Sequence, residues 1–204
     1  YLQSNITIRG KSLRDYLQVS NYKNVLDVLG QWVKSDDTKL TEELILYIHK
    51  MITNNELSDK ESGHYRDDFV HIRTTSYIPP DSIEIEEDMQ KLIDEYNSPL
   101  KPGYTMFEKI CEFKRNFERI HPFFDGNGRT GRVLMNTLFL QNGYAYISIP
   151  YEERDRYFDS LENNTFHKYA AEKMLIQLKE IELEHNKTTC INTERIDKVD
   201  EYER

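Results

Sequence analysis

Ile120-His121-Pro122-Phe123-Phe124-Asp125-Gly126-Asn127-Gly128-Arg129-Thr130-Gly131-Arg132 is the stretch in which one apolar helix stops, a glycine-bearing loop intervenes and a second helix starts. The two loop glycines, Gly126 and Gly128, can take positive φ and let a ligand come close to the backbone. A loop that feeds a helix N-terminus offers free N–H groups and a partial positive charge, which together suit an anion. Asn127 adds an amide donor. Arg129 and Arg132, one helical step apart, share a face and can clamp phosphate oxygens. Asp125 is a hard oxygen ligand of the kind Mg²⁺ takes when it bridges protein and phosphates. His121 is the group here that accepts a proton near neutral pH. Singly, each has an ordinary explanation: a capping His, Asp-Gly and Asn-Gly turns, a solvated Arg face. Their convergence on one loop–helix junction points to nucleotide-dependent phosphoryl or nucleotidyl transfer.

Outward from this junction, helical spacing dominates. Phe107, Ile110, Cys111, Phe113, Phe117 and Ile120 make the stripe before it, and Val133, Leu134, Thr137, Leu138 and Phe139 the one after it. Further stripes are Tyr22, Val25, Leu26, Leu29, Trp32 and Val33; Leu40, Leu44, Ile45, Ile48 and Ile52; and Ile85, Met89, Leu92, Ile93 and Tyr96. Helices are also expected around 157–161 and 171–181. One segment reads differently: Val70, Ile72, Tyr77 and Ile78 flank Thr74-Thr75-Ser76, and Pro79-Pro80 stops the run, which predicts a short β-hairpin leaning on the helices. The expected fold is mainly α, one domain over residues 1–204. Its core spans about 60–165, with flanking helices at 10–55 and 165–185 and a polar tail from 186.

The chain has 204 residues, 38% hydrophobic and 31% charged, with 36 acids against 27 bases for a formal charge of -9. That balance argues against broad nucleic-acid binding, which needs a basic face. No apolar run is long enough to span a membrane. Cys111 and Cys190 form no CxxC pair, so reduced thiols in a reducing, cytoplasmic setting are the simpler reading. Gly10-Lys11-Ser12 is rejected as a P-loop because its first glycine would have to be residue 5, which is Asn5. His64 and His71 lack further zinc ligands. Glu118, near His121, is read as helix-surface charge, and the acids of 84–88 as the solvated start of a helix.

The junction resembles the Fic family pattern HxFx(D/E)GNGRxxR, matching it at His121, Phe123, Asp125, Gly126, Asn127, Gly128, Arg129 and Arg132. The likeness extends to Gly63-His64-Tyr65-Arg66 with the hairpin and Pro79-Pro80, to Leu134–Leu138 with Gly143-Tyr144, to Arg154-Asp155-Arg156-Tyr157, and to Gly10–Leu17. It covers roughly residues 5–185.

The resemblance implies a single-domain helical Fic fold with a small β-hairpin flap and a protein adenylyltransferase activity. AMP passes from Mg²⁺–ATP to a Tyr, Ser or Thr hydroxyl of a target protein, which can be the chain itself, and pyrophosphate leaves. It implies His121 as the base, Asp125 as the Mg²⁺ ligand and Gly126, Asn127 and Gly128 as the cradle of the α- and β-phosphates. Arg129 and Arg132 meet the outer phosphates, Asn136 contacts the adenosine and Phe123 anchors the loop. Ile72, Arg73, Thr74, Thr75, Ser76 and Tyr77 form the flap that aligns the target by strand addition. Other Fic chemistries (phosphate, UMP or phosphocholine transfer) and a dormant nucleotide-binding module are the alternatives, and a homodimer is left open. Many relatives carry an inhibitory helix, (S/T)xxxE(G/N), whose Glu pairs with the second Arg. Thr38–Glu42 and Ser82–Glu86 have the spacing but lack the final Gly or Asn, and Arg9 stands where the Glu would be in Asn5–Gly10. The expectation is that the chain begins just after the usual place of an N-terminal inhibitory helix and is free of that inhibition; the alternatives are a protein that never had one or one that carries it beyond Arg204.

Overall fold

The computed structural model describes residues 12–34, 39–72 and 77–202. They are mainly helical: α1 Leu13–Trp32, α2 Glu42–Ile52, α3 Ile85–Asn97, α4 Met106–Ile120, α5 Asn127–Gln141, α6 Arg154–Glu162 and α7 Phe166–Tyr202. By contact the chain divides into two compact units, Tyr1–Tyr144 and Ala145–Arg204.

The first unit holds α1 to α5 and the junction. Its helix starts are written locally. Thr41 caps α2 by accepting from the Leu44 N–H. Thr105 and Glu108 close a reciprocal capping box at the start of α4, which satisfies two otherwise orphaned donors. The stripes of α3 and α4 are buried as their spacing requires: Ile85, Met89, Leu92, Ile93 and Tyr96 on one, Ile110, Cys111, Phe113, Phe117 and Ile120 on the other. From α2, Ile45, Ile48 and Ile52 face inward. Complete burial of one such side chain stabilises the fold by roughly 1.5–3 kcal/mol. The α1 stripe is narrower than its spacing suggests. Asn21, Val25 and Leu29 are buried at i, i+4 and i+8, while Leu26 is 51% exposed. Asn21 earns its burial because its amide donates to the carbonyls of Ile52 and Asn54, closing the open end of α2.

The expected hairpin is not formed by the residues described. Val70, Ile72, Tyr77 and Ile78 lie in no strand, and Arg73, Thr74, Thr75 and Ser76 fall outside the described residues. Two short strands are marginal without support. Buried Arg66 ties down the residues on either side of the segment, giving Nη1 to the Asp68 carbonyl and Nη2 to the Pro80 carbonyl.

The second unit packs α6 on α7 around Tyr157, Leu161, Phe166, Tyr169, Ala170 and Met174, all buried. Tyr157 meets Phe166 edge-on with centroids 5.8 Å apart. Arg156 pairs with Glu172, and Lys173 with Glu153. The helix expected at 171–181 is part of a much longer one, whose backbone continues through the polar tail to Tyr202. Among the described residues no helix is long and apolar enough to cross a membrane.

Candidate active site

Helix α4 ends because His121 turns left-handed, φ 50 and ψ 59, while its N–H still bonds to the Phe117 carbonyl. That conformation is uncommon for a non-glycine residue and costs about 1–3 kcal/mol unless its surroundings impose it. They do so here through Arg66, whose Nε donates to the His121 carbonyl and whose own N–H donates to the Pro122 carbonyl. The same guanidinium therefore holds both ends of the 68–80 segment and the His121 backbone. His121 Nδ1 faces the Glu118 carbonyl at 3.4 Å. A carbonyl only accepts, so Nδ1 carries the hydrogen and Nε2 keeps its lone pair. Burial lowers the His121 pKa below its usual 6.5; the Glu118 carboxylate opposes that, and Arg66 and Lys114 add to it. The imidazole is thus neutral and ready to accept at neutral pH.

Beyond His121 the loop is pinned from within. Phe123 is fully buried and stacks flat on the His49 ring, centroids 3.6 Å apart and planes 3° from parallel. His49 Nδ1 accepts from the Gly63 N–H, and Nε2 bonds to the Asp125 carbonyl at 3.0 Å. Burial drives the His49 pKa down to about 4, against a smaller upward pull from the Asp125 hydrogen bond. Both halves of the Asn127 amide are taken up by Phe123: Oδ1 accepts its N–H and Nδ2 donates to its carbonyl. The Asn127 side chain therefore braces the loop, and the donors available to an anion are those of the turn's backbone.

Gly126 precedes α5 with φ 83, and a Cβ there would lie 2.9 Å from Thr53 Cγ2. Gly128, by contrast, is helical, and a Cβ there would meet Arg132 Nη1 at 3.2 Å. Helix α5 starts at Asn127 with no side-chain cap. Its first turn, whose first internal bond runs from Thr130 N to Gly126 O, leaves N–H groups free at the junction. Arg129, Arg132 and Asn136 follow at i, i+3 and i+7 along one face. Asp125 presents a half-exposed carboxylate beside this turn, with Oδ1 accepting from Gly126 N and Oδ2 ion-paired to Arg14 of α1. Among the described residues no group of three or more His, Cys, Asp or Glu could hold a metal by itself. A lone carboxylate fits Mg²⁺, which keeps waters and takes phosphate oxygens with one or two protein ligands.

The structure thus brings His121, Asp125, Gly126, Asn127, Gly128, Arg129 and Arg132 to one loop–helix junction, with Asn136 two turns along α5. Ile72 and Tyr77 are half-buried, and the Tyr77 ring stacks against Arg119 at 4.3 Å. Glu118 is not surface charge. Its side chain is 14% exposed and ion-pairs with fully buried Lys114. Burial pushes the Glu118 carboxyl upward, but Lys114 outweighs it and the net shift is downward. Sequence reasoning missed His49, Glu56 and Arg14 as contributors to the site. The one signal was polarity at a buried register: His49 and Glu56 sit among or just after the apolar positions of α2.

The Fic/DOC family model matches residues 39–139. Among curated proteins, the chain is 28% identical over 167 residues to the protein adenylyltransferase Fic of Drosophila willistoni, which covers 78% of this chain and 31% of that protein. The Drosophila melanogaster counterpart is also 28% identical, with 32% of it covered. The chain spans about a third of the length of these relatives. Among solved structures, the fragment of amino acids 134–508 of Fic-1 from C. elegans superposes with a TM-score of 0.78 at 24% identity, covering 92% of this chain and 57% of that one. A Fic domain containing signaling protein from Bacteroides thetaiotaomicron gives 0.75 at 24% identity, covering 87% and 76%. At these identities the two structures speak for the fold alone.

Proposed function

Residues 39–139 of this chain belong to the Fic/DOC family, and from that premise we propose that the chain is a protein adenylyltransferase, moving AMP from ATP to a Tyr, Ser or Thr hydroxyl of a protein. The observation that carries the proposal is a neutral imidazole with its Nε2 lone pair free, six residues before the uncapped N-terminus of a helix that bears two arginines. The naming of the Drosophila relatives as protein adenylyltransferases points the same way.

In this reading the target hydroxyl gives its proton to His121 Nε2 as its oxygen attacks the α-phosphorus of ATP. The new P–O bond forms, the bond to the β-phosphate bridge oxygen breaks, and pyrophosphate leaves. The N–H groups of the first turn of α5, at Asn127 and Gly128, hold the α- and β-phosphates, with Gly126 letting the ligand approach the backbone, because donors fixed in advance need no reorganisation as charge shifts. Arg129 and Arg132 take the outer phosphates, and Asn136 lies further along the same face for the adenosine. Asp125 would hold Mg²⁺, which would supply neutralisation of the phosphate charge. A groove lined by Tyr77, Pro80, Asp88, Lys91, Arg119 and Ile120 adjoins the C-terminal end of α4 and offers a place for the target segment.

The test is intact-mass and peptide mass spectrometry of the protein incubated with Mg²⁺ and, in parallel, ATP, UTP, GTP and CDP-choline. Addition of AMP from ATP, to this chain or to a protein in a lysate, is the expected result. Addition from another donor in preference to ATP overturns the chemistry, and no addition from any donor overturns the enzyme.

A further inference from the structure

Glu56 follows the end of α2, where Asn55 turns left-handed at φ 59 and sends the chain back toward α1. Its side chain is 0% exposed. A carboxylate so placed is strongly disfavoured unless cations and donors meet it. Three groups converge on it. Oε1 accepts from Arg129 Nη1 at 2.6 Å; Oε2 accepts from Gln18 Nε2 at 3.0 Å and lies 3.6 Å from Arg14 Nε. Arg129 Nη1 also reaches the Ile52 carbonyl at 3.5 Å. One corner of the Arg129 guanidinium is therefore fixed, and Nη2 is left 4.0 Å from Asp125 Oδ1.

We infer that Glu56 is a positioning residue for nucleotide binding: it grips one nitrogen of Arg129 so that the other edge is held toward Asp125 and the phosphates. This rests on the adenylyltransferase reading and deepens it. A free arginine loses much rotamer freedom when it closes on a phosphate. Arg129 has lost that freedom already, so its contact with the ligand carries less ordering cost. Glu56 touches no substrate; its effect passes through Arg129. A merely structural Glu56 would tie α1 to the α2 turn and leave ligand affinity alone.

The experiment is a double-mutant cycle read by calorimetric titration of ATP, with adenosine as the ligand that lacks phosphates. Glu56→Gln should weaken ATP roughly tenfold, within the range of measured couplings between contacting groups, and leave adenosine unchanged. Combined with Arg129→Ala it should add no further loss. Glu56→Asp, which keeps the buried charge, should fall between wild type and Glu56→Gln, and guards against a variant that fails to fold. Unchanged or tighter ATP binding by Glu56→Gln overturns the inference, as do losses that multiply in the double variant or an equal loss for adenosine. In each of those cases the wild type still binds ATP and the reading of the site stands. A wild type that binds no ATP overturns both.

Discussion

His121 is held by three independent contacts: its own N–H on Phe117, its carbonyl on Arg66 and its Nδ1 on Glu118. Replacing its imidazole leaves the backbone contacts in place. His121→Ala is therefore expected to keep ATP binding and to lose transfer by about 10²–10⁴-fold, the usual worth of a base; labelled-ATP turnover beside calorimetry measures both. The direction of its pKa sets the pH profile. Only the neutral form accepts a proton, and burial keeps the group neutral to lower pH than the ordinary 6.5. The acid limb of kcat should thus have its midpoint below 6.5, and a midpoint above it would contradict the buried environment. Arg132 shares a face with Arg129 but carries no such brace from Glu56. Arg132→Ala should weaken ATP more than AMP, because AMP lacks the outer phosphates. Equal losses would remove Arg132 from the clamp.

At the scale of elements, the site is a loop wedged between α2, α4 and α5, and its rigidity comes from residues outside the pattern that identifies it. His49 of α2 stacks on Phe123 and bridges Gly63 to Asp125. His49→Ala removes a stacked pair and strands two buried backbone groups, so it should cost about 3 kcal/mol, read by denaturant unfolding. Helix α1 reaches the same loop through Arg14, which sits on the Asp125 carboxylate. Arg14 is 59% exposed, and such a pair is worth at most about 1 kcal/mol. Arg14→Ala should accordingly lower the Mg²⁺ concentration for half-maximal transfer by no more than about fivefold. The helices were legible in the sequence because apolar spacing alone places α3 and α4, and the junction was legible because its residues are contiguous. His49, Glu56, Arg14 and the role of Arg66 were not, since each acts on residues more than fifty positions away and nothing in local spacing encodes that. The hairpin is not seen among the described residues: β-branched residues before a proline pair suit a strand, while Arg66 holds the two ends of the segment through the Asp68 and Pro80 carbonyls.

At the scale of the whole molecule, the chain carries a formal charge of -9, while Arg129 and Arg132 are gathered at one helix start. On the proposed reading a nucleotide is drawn to a local cluster of cations on an acidic body, and the hydroxyl to be modified comes to that cluster from an accessible surface. If the chain modifies itself, the acceptor has to be a side chain that another copy can present. Tyr151 is 78% exposed, and Tyr47, Tyr146 and Tyr16 are exposed by 50%, 45% and 43%. Tyr96, Tyr157 and Tyr169 are buried at 7%, 2% and 3%, and none can reach a second active site without local unfolding. Incubation with ATP and Mg²⁺ is therefore expected to place AMP on exposed tyrosines, Tyr151 foremost, at a rate that rises with the square of protein concentration because two molecules must meet. Tyr151→Phe should reduce the added AMP without changing ATP affinity. Peptide mapping that instead finds the label on Tyr96, Tyr157 or Tyr169 would overturn the demand for an exposed acceptor, and a rate strictly first order in protein would overturn transfer between two copies.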